Sequence, residues 1–346
     1  MVEPEPKAAV EMSELPETLT LPEKSSLPEL DADGLLALYR EMLLLRRVEE
    51  LAAKAYTLRK ILGFCHLYIG QEAVAVGAAA STKDDYWIAA YREHGHALAK
   101  GMSSRSVMAE LFGKATGCSR GLGGSMHLFD ADHKFYGGWG IVGGHVPLAN
   151  GMAWASKQRG EGRVCVCFFG DGAANQGAFF EALCIAQLYK LPVVFICENN
   201  FYAMGTAITR ASEFTDMSLR GLGVGMVREQ VRGFDVEVVR DRVAAAADYA
   251  RSGQGPVLLE LVTYRYRGHS MSDPAKYRTK DEVDDAKSSD SLKITENRLL
   301  NDFGVTQETL DGLKASVEEE AQDAWDFAEE SPEPSTAELY DVVYSD

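Results

Sequence analysis

The chain has 346 residues, 46% of them hydrophobic, which is enough to bury a sizeable core in one large domain or two modest ones. A formal net charge of −17 argues against nucleic acid as a partner. The longest apolar runs, "RVCVCFF" and "LPVVFIC", stop short of the roughly 18 to 20 residues that cross a bilayer, so no membrane span is expected.

The charge is unevenly laid along the chain. Residues 1–33 hold nine acids and two bases, residues 281–346 hold twenty acids and four bases, and the middle is left at +6. Solvated acidic ends explain the balance, and a basic middle permits an anionic ligand. The amino terminus carries Glu and Pro where a secretory signal or a transit peptide would be basic. The expected location is therefore the cytoplasm, or an organelle matrix if the chain is a processed form. Cys65, Cys118, Cys165, Cys167, Cys184 and Cys197 show no zinc-type pairing and read as buried free thiols of a reducing compartment.

Residues 1–30, rich in Pro and Glu and without periodicity, read as a disordered amino-terminal arm. A long amphipathic helix begins near Asp31 or Asp33, with Leu35, Leu38, Met42, Leu45, Val48 and Leu51 at helical spacing. Apolar strands and helices then alternate. The clearest unit is a strand over 163–169, a "GDGAANQG" turn, a helix starting near Ala174, a strand over 191–197 and an "ENNFYAMG" loop; a further strand reads at 256–264. This alternation predicts an α/β fold, a mostly parallel sheet with helices on both faces, over residues 31–280. Residues 281–346 read as an acidic helical carboxy-terminal region packed on the same domain, with Leu310, Leu313, Val317, Ala321 and Ala324 on one stripe.

Asp171, between two glycines at the end of a strand, reads alone as an Asx-turn or a helix cap. A βαβ crossover, however, brings its strand end beside that of the next strand, where Asn199 and Asn200 stand. A carboxylate and an amide oxygen are hard donors suited to magnesium, which takes its remaining ligands from phosphate and water. Flanking glycines admit a diphosphate close to the backbone. Neither a P-loop nor a dinucleotide-binding glycine motif in the required context is present.

"GDG", 26 residues and then "NN" resembles the thiamine diphosphate binding motif. The blocks "GFCHLYIGQEAVAVG", "YREHGHALAKG", "GGSMHLF", "FYGGWGIVGGHVPLANG", "ICENNFYAMGT" and "TYRYRGHSMSDPAKYRT", in this order, resemble the alpha subunits of pyruvate dehydrogenase, the decarboxylating component of 2-oxo acid dehydrogenase complexes. The likeness covers roughly residues 33–340. It implies oxidative decarboxylation of pyruvate and reductive acetylation of a lipoyl group on an acyltransferase partner, with thiamine diphosphate and Mg2+ as cofactors. It also implies a beta subunit in an α2β2 assembly, because the glutamate that activates the cofactor's pyrimidine has no match in this chain. The neighbouring alternatives are acetoin or a branched-chain 2-oxo acid as substrate.

Residue by residue, the resemblance makes Asp171, Asn200 and the Tyr202 carbonyl the metal ligands. It makes Tyr91, Arg92 and Arg265 the diphosphate contacts, with Gly172 and Ala173 giving amides, and places Gly140 and Val142 at the aminopyrimidine ring. His269 becomes a proton donor or phosphate contact in a loop over the cofactor, and His66 and His94 match further active-site histidines. Ser270 corresponds to a serine that is phosphorylated in some relatives. The sequence departs from the pattern at Trp139 and His145, where relatives often carry Asn or His and Gln, and the departure is expected to alter the pyrimidine and substrate wall.

Overall fold

A computed structural model describes residues 19–341. Helix α1, Ala32–Thr57, starts at Asp31, whose side chain accepts the Gly34 N–H at 2.8 Å. The six apolar positions read at helical spacing are all buried. α2 (Glu72–Thr82) leads to β1 (Tyr86–Ala90), then α3 (His94–Lys100), α4 (Ser104–Leu111) and β2 (Phe135–Trp139). The central unit is α5 (Val146–Arg159), β3 (Cys165–Gly170), α6 (Gly177–Leu188) and β4 (Val193–Asn199). A small hairpin, β5 (Tyr202–Ala203) and β6 (Thr206–Ala207), precedes α7 (Ile208–Ala211). β7 (Val227–Arg232), α8 (Val236–Arg251) and β8 (Val257–Val262) complete the sheet, followed by α9 (Lys280–Ser288), α10 (Ser291–Asn301), α11 (Gln307–Glu330) and α12 (Glu338–Asp341).

The six long strands are parallel in the order β2-β1-β3-β4-β8-β7. Alternation along each strand divides the core in two. Val166, Phe168, Val194, Ile196, Leu259 and Leu261 face a layer containing α1, α2 and α8, whereas Cys165, Cys167, Phe169, Phe195 and Leu258 face α5 and α6. Both faces are covered, which is why these strands read as unbroken apolar runs. α2 and α8 approach closely: a Cβ on Gly77 would lie 2.8 Å from the Val236 carbonyl oxygen. α11 packs on α1 and α4, burying Leu310, Val317, Ala321, Ala324 and Trp325, while Leu313 is only half-buried.

Three expectations change. Residues 19–30 are not a free arm: Leu21 is buried, the Leu19 carbonyl accepts from Arg228 N, and the Pro22, Glu23 and Pro28 carbonyls accept from Arg242 and Arg240. A Pro-rich chain in extended form offers its carbonyls outward, and here arginines take them. The expectation for residues 1–18 lies outside the described residues. The helix read as starting near Ala174 starts at Gly177, because Ala173–Asn175 forms a separate 3₁₀ turn. Among the cysteines, Cys184 is exposed on α6 and Cys118 is half-buried.

Candidate active site

Parallel strands put all six carboxyl ends on one edge of the sheet. Chain order reverses between β1 and β3, since β1 leads outward to β2 and β3 leads the other way to β4. Ligands of open α/β sheets bind at such a reversal. A cleft of about 890 Å³ opens there. It collects Tyr91 and Arg92 from beyond β1, Asp171, Gly172 and Ala173 from beyond β3, and Asn200 and Tyr202 from beyond β4. Arg265 and His269 reach it from beyond β8, and His66, Gly140 and Val142 from neighbouring loops.

The donor oxygens converge. Asn200 Oδ1 and the Tyr202 carbonyl lie 3.5 and 3.2 Å from Arg265 Nη1, and the Met204 carbonyl accepts from Nη2 at 3.0 Å. Neutral oxygens are thus gathered around a positive charge, with the Asp171 carboxyl lining the same cleft. Asn200 is oriented from behind, because its amide N–H donates to Gln71 Oε1 at 2.9 Å and turns Oδ1 inward. Tyr202 contributes only main chain: its hydroxyl is held by Glu282 of α9. Asn199 faces the other way, donating to Glu260 and accepting the Phe201 N–H, so only the second of the paired asparagines serves the cleft. Glycine is required at 172, where a Cβ would stand 2.7 Å from that of Ala203 in the opposing hairpin.

The electrostatics suit an anion bound through a cation. Burial pushes the Asp171 carboxyl up to about 6 against the pull of backbone amides and Arg265. Arg92 is buried and brought down to about 10 by burial and by Arg265. Its guanidinium donates to the Leu67 and His269 carbonyls, each at 2.7 Å, tying together the two loops that carry His66 and His269. Those rings lie 5.0 Å apart and 4.7 and 5.6 Å from Tyr91. Burial, then Arg92, holds His66 down at about 2 and His269 at about 4, so both are neutral at physiological pH.

Among the described residues, His66 Nδ1, Gln71 Nε2 and His269 Nδ1 are buried polar atoms without a partner. All three residues line the cleft, which marks it as a place for a polar ligand. A divalent cation with a diphosphate fits the donor set: one carboxylate, one amide oxygen and one carbonyl, with arginine charge beside them.

The sequence profile of the dehydrogenase E1 component family matches residues 40–337. The chain belongs to that family. It is 50% identical over 317 residues to the pyruvate dehydrogenase E1 component subunit alpha of Rhizobium meliloti (strain 1021), covering 91% of each chain. It is 50% identical over 312 residues to the subunit of the same name from Zymomonas mobilis, covering 90% of this chain and 88% of that one. The Porphyra purpurea subunit is 41% identical over 343 residues, 95% of this chain and all of that one.

In this E1 chain, His94 is not at the cleft. It is buried in α3, with Glu49 2.9 Å from Nδ1. Burial opposes its charging, yet Glu49 raises it overall. Trp139 and His145 also stand away from the cleft, contrary to the expectation that they reshape its wall. Trp139 donates to the Tyr136 carbonyl and packs on Phe129, and His145 is buried with Nε2 2.8 Å from the Phe168 carbonyl. Sequence reading missed Gln71 as the residue that orients Asn200, although "GQEA" stood in a quoted block, because nothing local says which residue meets it across the fold. It missed Glu198, Asp273 and Tyr277 as well. Glu198 is tied to the Tyr68 hydroxyl and to His96, and Asp273 accepts from His269 N and the Tyr277 hydroxyl.

Proposed function

We propose that this chain is the alpha subunit of a heteromeric pyruvate dehydrogenase E1 component, which oxidatively decarboxylates pyruvate and reductively acetylates a lipoyl group on an acyltransferase partner. The observation that carries the reading is the convergence of Asn200 Oδ1 and the Tyr202 carbonyl on one cation, in a cleft that Asp171 also lines. The names of relatives that match nine-tenths of the chain support the substrate.

Asp171, Asn200 and the Tyr202 carbonyl would hold Mg2+. Arg265 and Arg92, with the amides of Gly172 and Ala173 and the Tyr91 hydroxyl, would meet the diphosphate, and Gly140 and Val142 would form the wall against the ring system. Thiamine diphosphate, when bound, supplies a nucleophilic carbon for the ketone and an electron sink for the loss of carbon dioxide. The chain's own part is position and proton control. Neutral imidazoles at His66 and His269 each keep one N–H and one lone pair, so either ring would donate a hydrogen bond to the bound ligand or accept a proton from it.

A beta subunit is needed in this reading. The carboxylates lining the cleft are engaged, Glu198 by Tyr68 and His96, Asp273 by His269 N and Tyr277, and Asp171 by the proposed metal. The family resemblance implies that a glutamate of the beta subunit holds the cofactor's aminopyrimidine in its reactive form, in an α2β2 assembly, and the engagement of the cleft's own carboxylates is consistent with that reading. We read residues 31–280 as the cofactor-binding domain and 281–346 as a helical region packed on it. The free thiols suit a reducing compartment, the cytoplasm or an organelle matrix. No helix among the described residues is long and apolar enough to cross a membrane.

The test is turnover of the chain reconstituted with its beta subunit and a lipoyl domain, on pyruvate, a branched-chain 2-oxo acid and acetoin. Pyruvate is expected to give the highest kcat/KM. A branched-chain acid or acetoin giving the higher value overturns the substrate assignment.

A further inference from the structure

Two stretches outside the lining of the cleft, "EHG" at 93–95 and "GCSRGLGGS" at 117–125, meet at His94 and Ser125. Glu110 of α4 is fully buried. One of its carboxylate oxygens accepts the N–H groups of Ser119 and Gly121 at 2.8 Å, and the other accepts those of Gly123 and Gly124 at 2.8 and 3.0 Å. The glycine-rich loop is therefore wrapped around an internal anion and fixed by four charge-assisted bonds up to the residue before Ser125.

From Ser125 a second line of contacts runs to α1. Glu49 Oε1 lies 2.9 Å from His94 Nδ1, and His94 Nε2 lies 2.8 Å from Ser125 Oγ and 3.1 Å from the Ser125 carbonyl. Ser125 Oγ accepts the backbone N–H of His66 at 3.2 Å. No member of the line is more than 5% exposed. With a carboxylate on Nδ1 and two oxygens at Nε2, the ring is fully satisfied as an imidazolium, and the raised affinity of His94 for protons agrees.

The order carboxylate, imidazole, hydroxyl resembles a nucleophilic triad, but Ser125 does not line the cleft and its oxygen serves the main chain of His66. The side chain of His66 makes no hydrogen bond among the described residues. Its place is set by ring packing against Tyr91 and His269 and by its backbone anchors, Ser125 at His66 N and Arg92 at the Leu67 carbonyl. A buried ion pair is a costly way to gain stability, which fits one retained to specify a geometry.

We propose that Glu49, His94 and Ser125 are positioning residues, a buried relay that holds the His66 imidazole over the cleft at the reacting end of the 2-oxo acid. The proposal rests on the pyruvate dehydrogenase reading only for what His66 acts upon. The hydrogen-bonded route from the relay to the cleft runs through the His66 backbone N–H, so the kinetic effect it carries is expected to vanish when that ring is removed.

The experiment is a double-mutant cycle in the assembled alpha–beta enzyme, with pyruvate and a lipoyl domain. Ser125→Ala, which keeps the carbonyl contact to His94 and loses the hydroxyl, is expected to lower kcat about tenfold, with half-saturation by thiamine diphosphate unchanged within about twofold. In a His66→Ala background the same change is expected to alter kcat less than about twofold. His94→Leu should match or exceed the loss, and His94→Gln, whose amide donates toward Ser125, should recover part of it. A second readout needs no turnover: carbethoxylation of His66 by diethyl pyrocarbonate, followed by peptide mass spectrometry, should run several-fold faster in Ser125→Ala as the ring loses its anchor. Wild-type kcat in Ser125→Ala, or equal losses in both backgrounds with His66 reactivity unchanged, overturns the proposal. If the wild-type assembly turns over no pyruvate, the substrate reading fails, and the labelling comparison still decides the relay.

Discussion

Glu93 follows two residues that face the cleft, yet its carboxyl lies in the core, accepting the Leu128 N–H through Oε1 and leaving Oε2 without a partner. Burial pushes it up from 4.5 to about 8. The folded chain therefore holds a proton there through that interval which the unfolded chain gives up, so stability from this group is complete below about pH 4.5 and is lost as pH rises through about 8. Glu93→Gln keeps the acceptor and cannot ionise. Thermal unfolding of the variant relative to wild type is expected to improve by a few degrees between pH 5.5 and pH 8.5, and parallel pH curves would refute the assignment. The four residues from Tyr91 to His94 show what a sequence discloses at this scale. The family resemblance marked the block as functional, but whether a side chain enters the cleft, as Arg92 does, or the core, as Glu93 and His94 do, depends on how the turn leaving β1 enters α3. The paired asparagines make the same point, because the last residue of β4 points Asn199 back to Glu260 and the next points Asn200 to the cleft.

At the scale of elements, periodicity was a good guide where one face of a helix or both faces of a strand are apolar. It located α1 from its stripe and β3, β4 and β8 from their buried runs, and hence the edge on which Asp171 and Asn200 meet. It was a poor guide where hydrogen bonding rather than burial sets the boundary. The 3₁₀ turn at Ala173–Asn175 delays α6, and the backbone amides of the 117–124 loop are spent on Glu110, a partner that no local pattern announces. Packing of α2 on α8 depends on one missing side chain. Gly77→Ala would set a methyl 2.8 Å from both the Val236 oxygen and the Val239 Cβ, forcing the helices apart. The expected cost is about 1–3 kcal/mol in urea unfolding, despite the better helix propensity of alanine. A variant as stable as wild type would show that the two helices separate freely.

Over the whole molecule, the strongly negative total concealed a basic middle, and the middle is where the cleft gathers Arg92 and Arg265. The acidic end contributes to the site through α9, whose Glu282 accepts from the hydroxyls of Tyr202 and of Tyr264, the residue before Arg265. The proposed division of labour, with the metal and diphosphate held by this chain and the pyrimidine activated by a partner, makes metal-dependent cofactor binding the property that most depends on it. The decisive measurement is calorimetric titration of thiamine diphosphate into the assembled alpha–beta protein, with and without Mg2+, for wild type and Asp171→Ala. The expected result is binding to the wild type that requires Mg2+, weakened about a hundredfold in Asp171→Ala while size-exclusion shows the assembly intact. Affinity unchanged by Asp171→Ala, or undiminished when Mg2+ is removed from the wild type, would contradict the account.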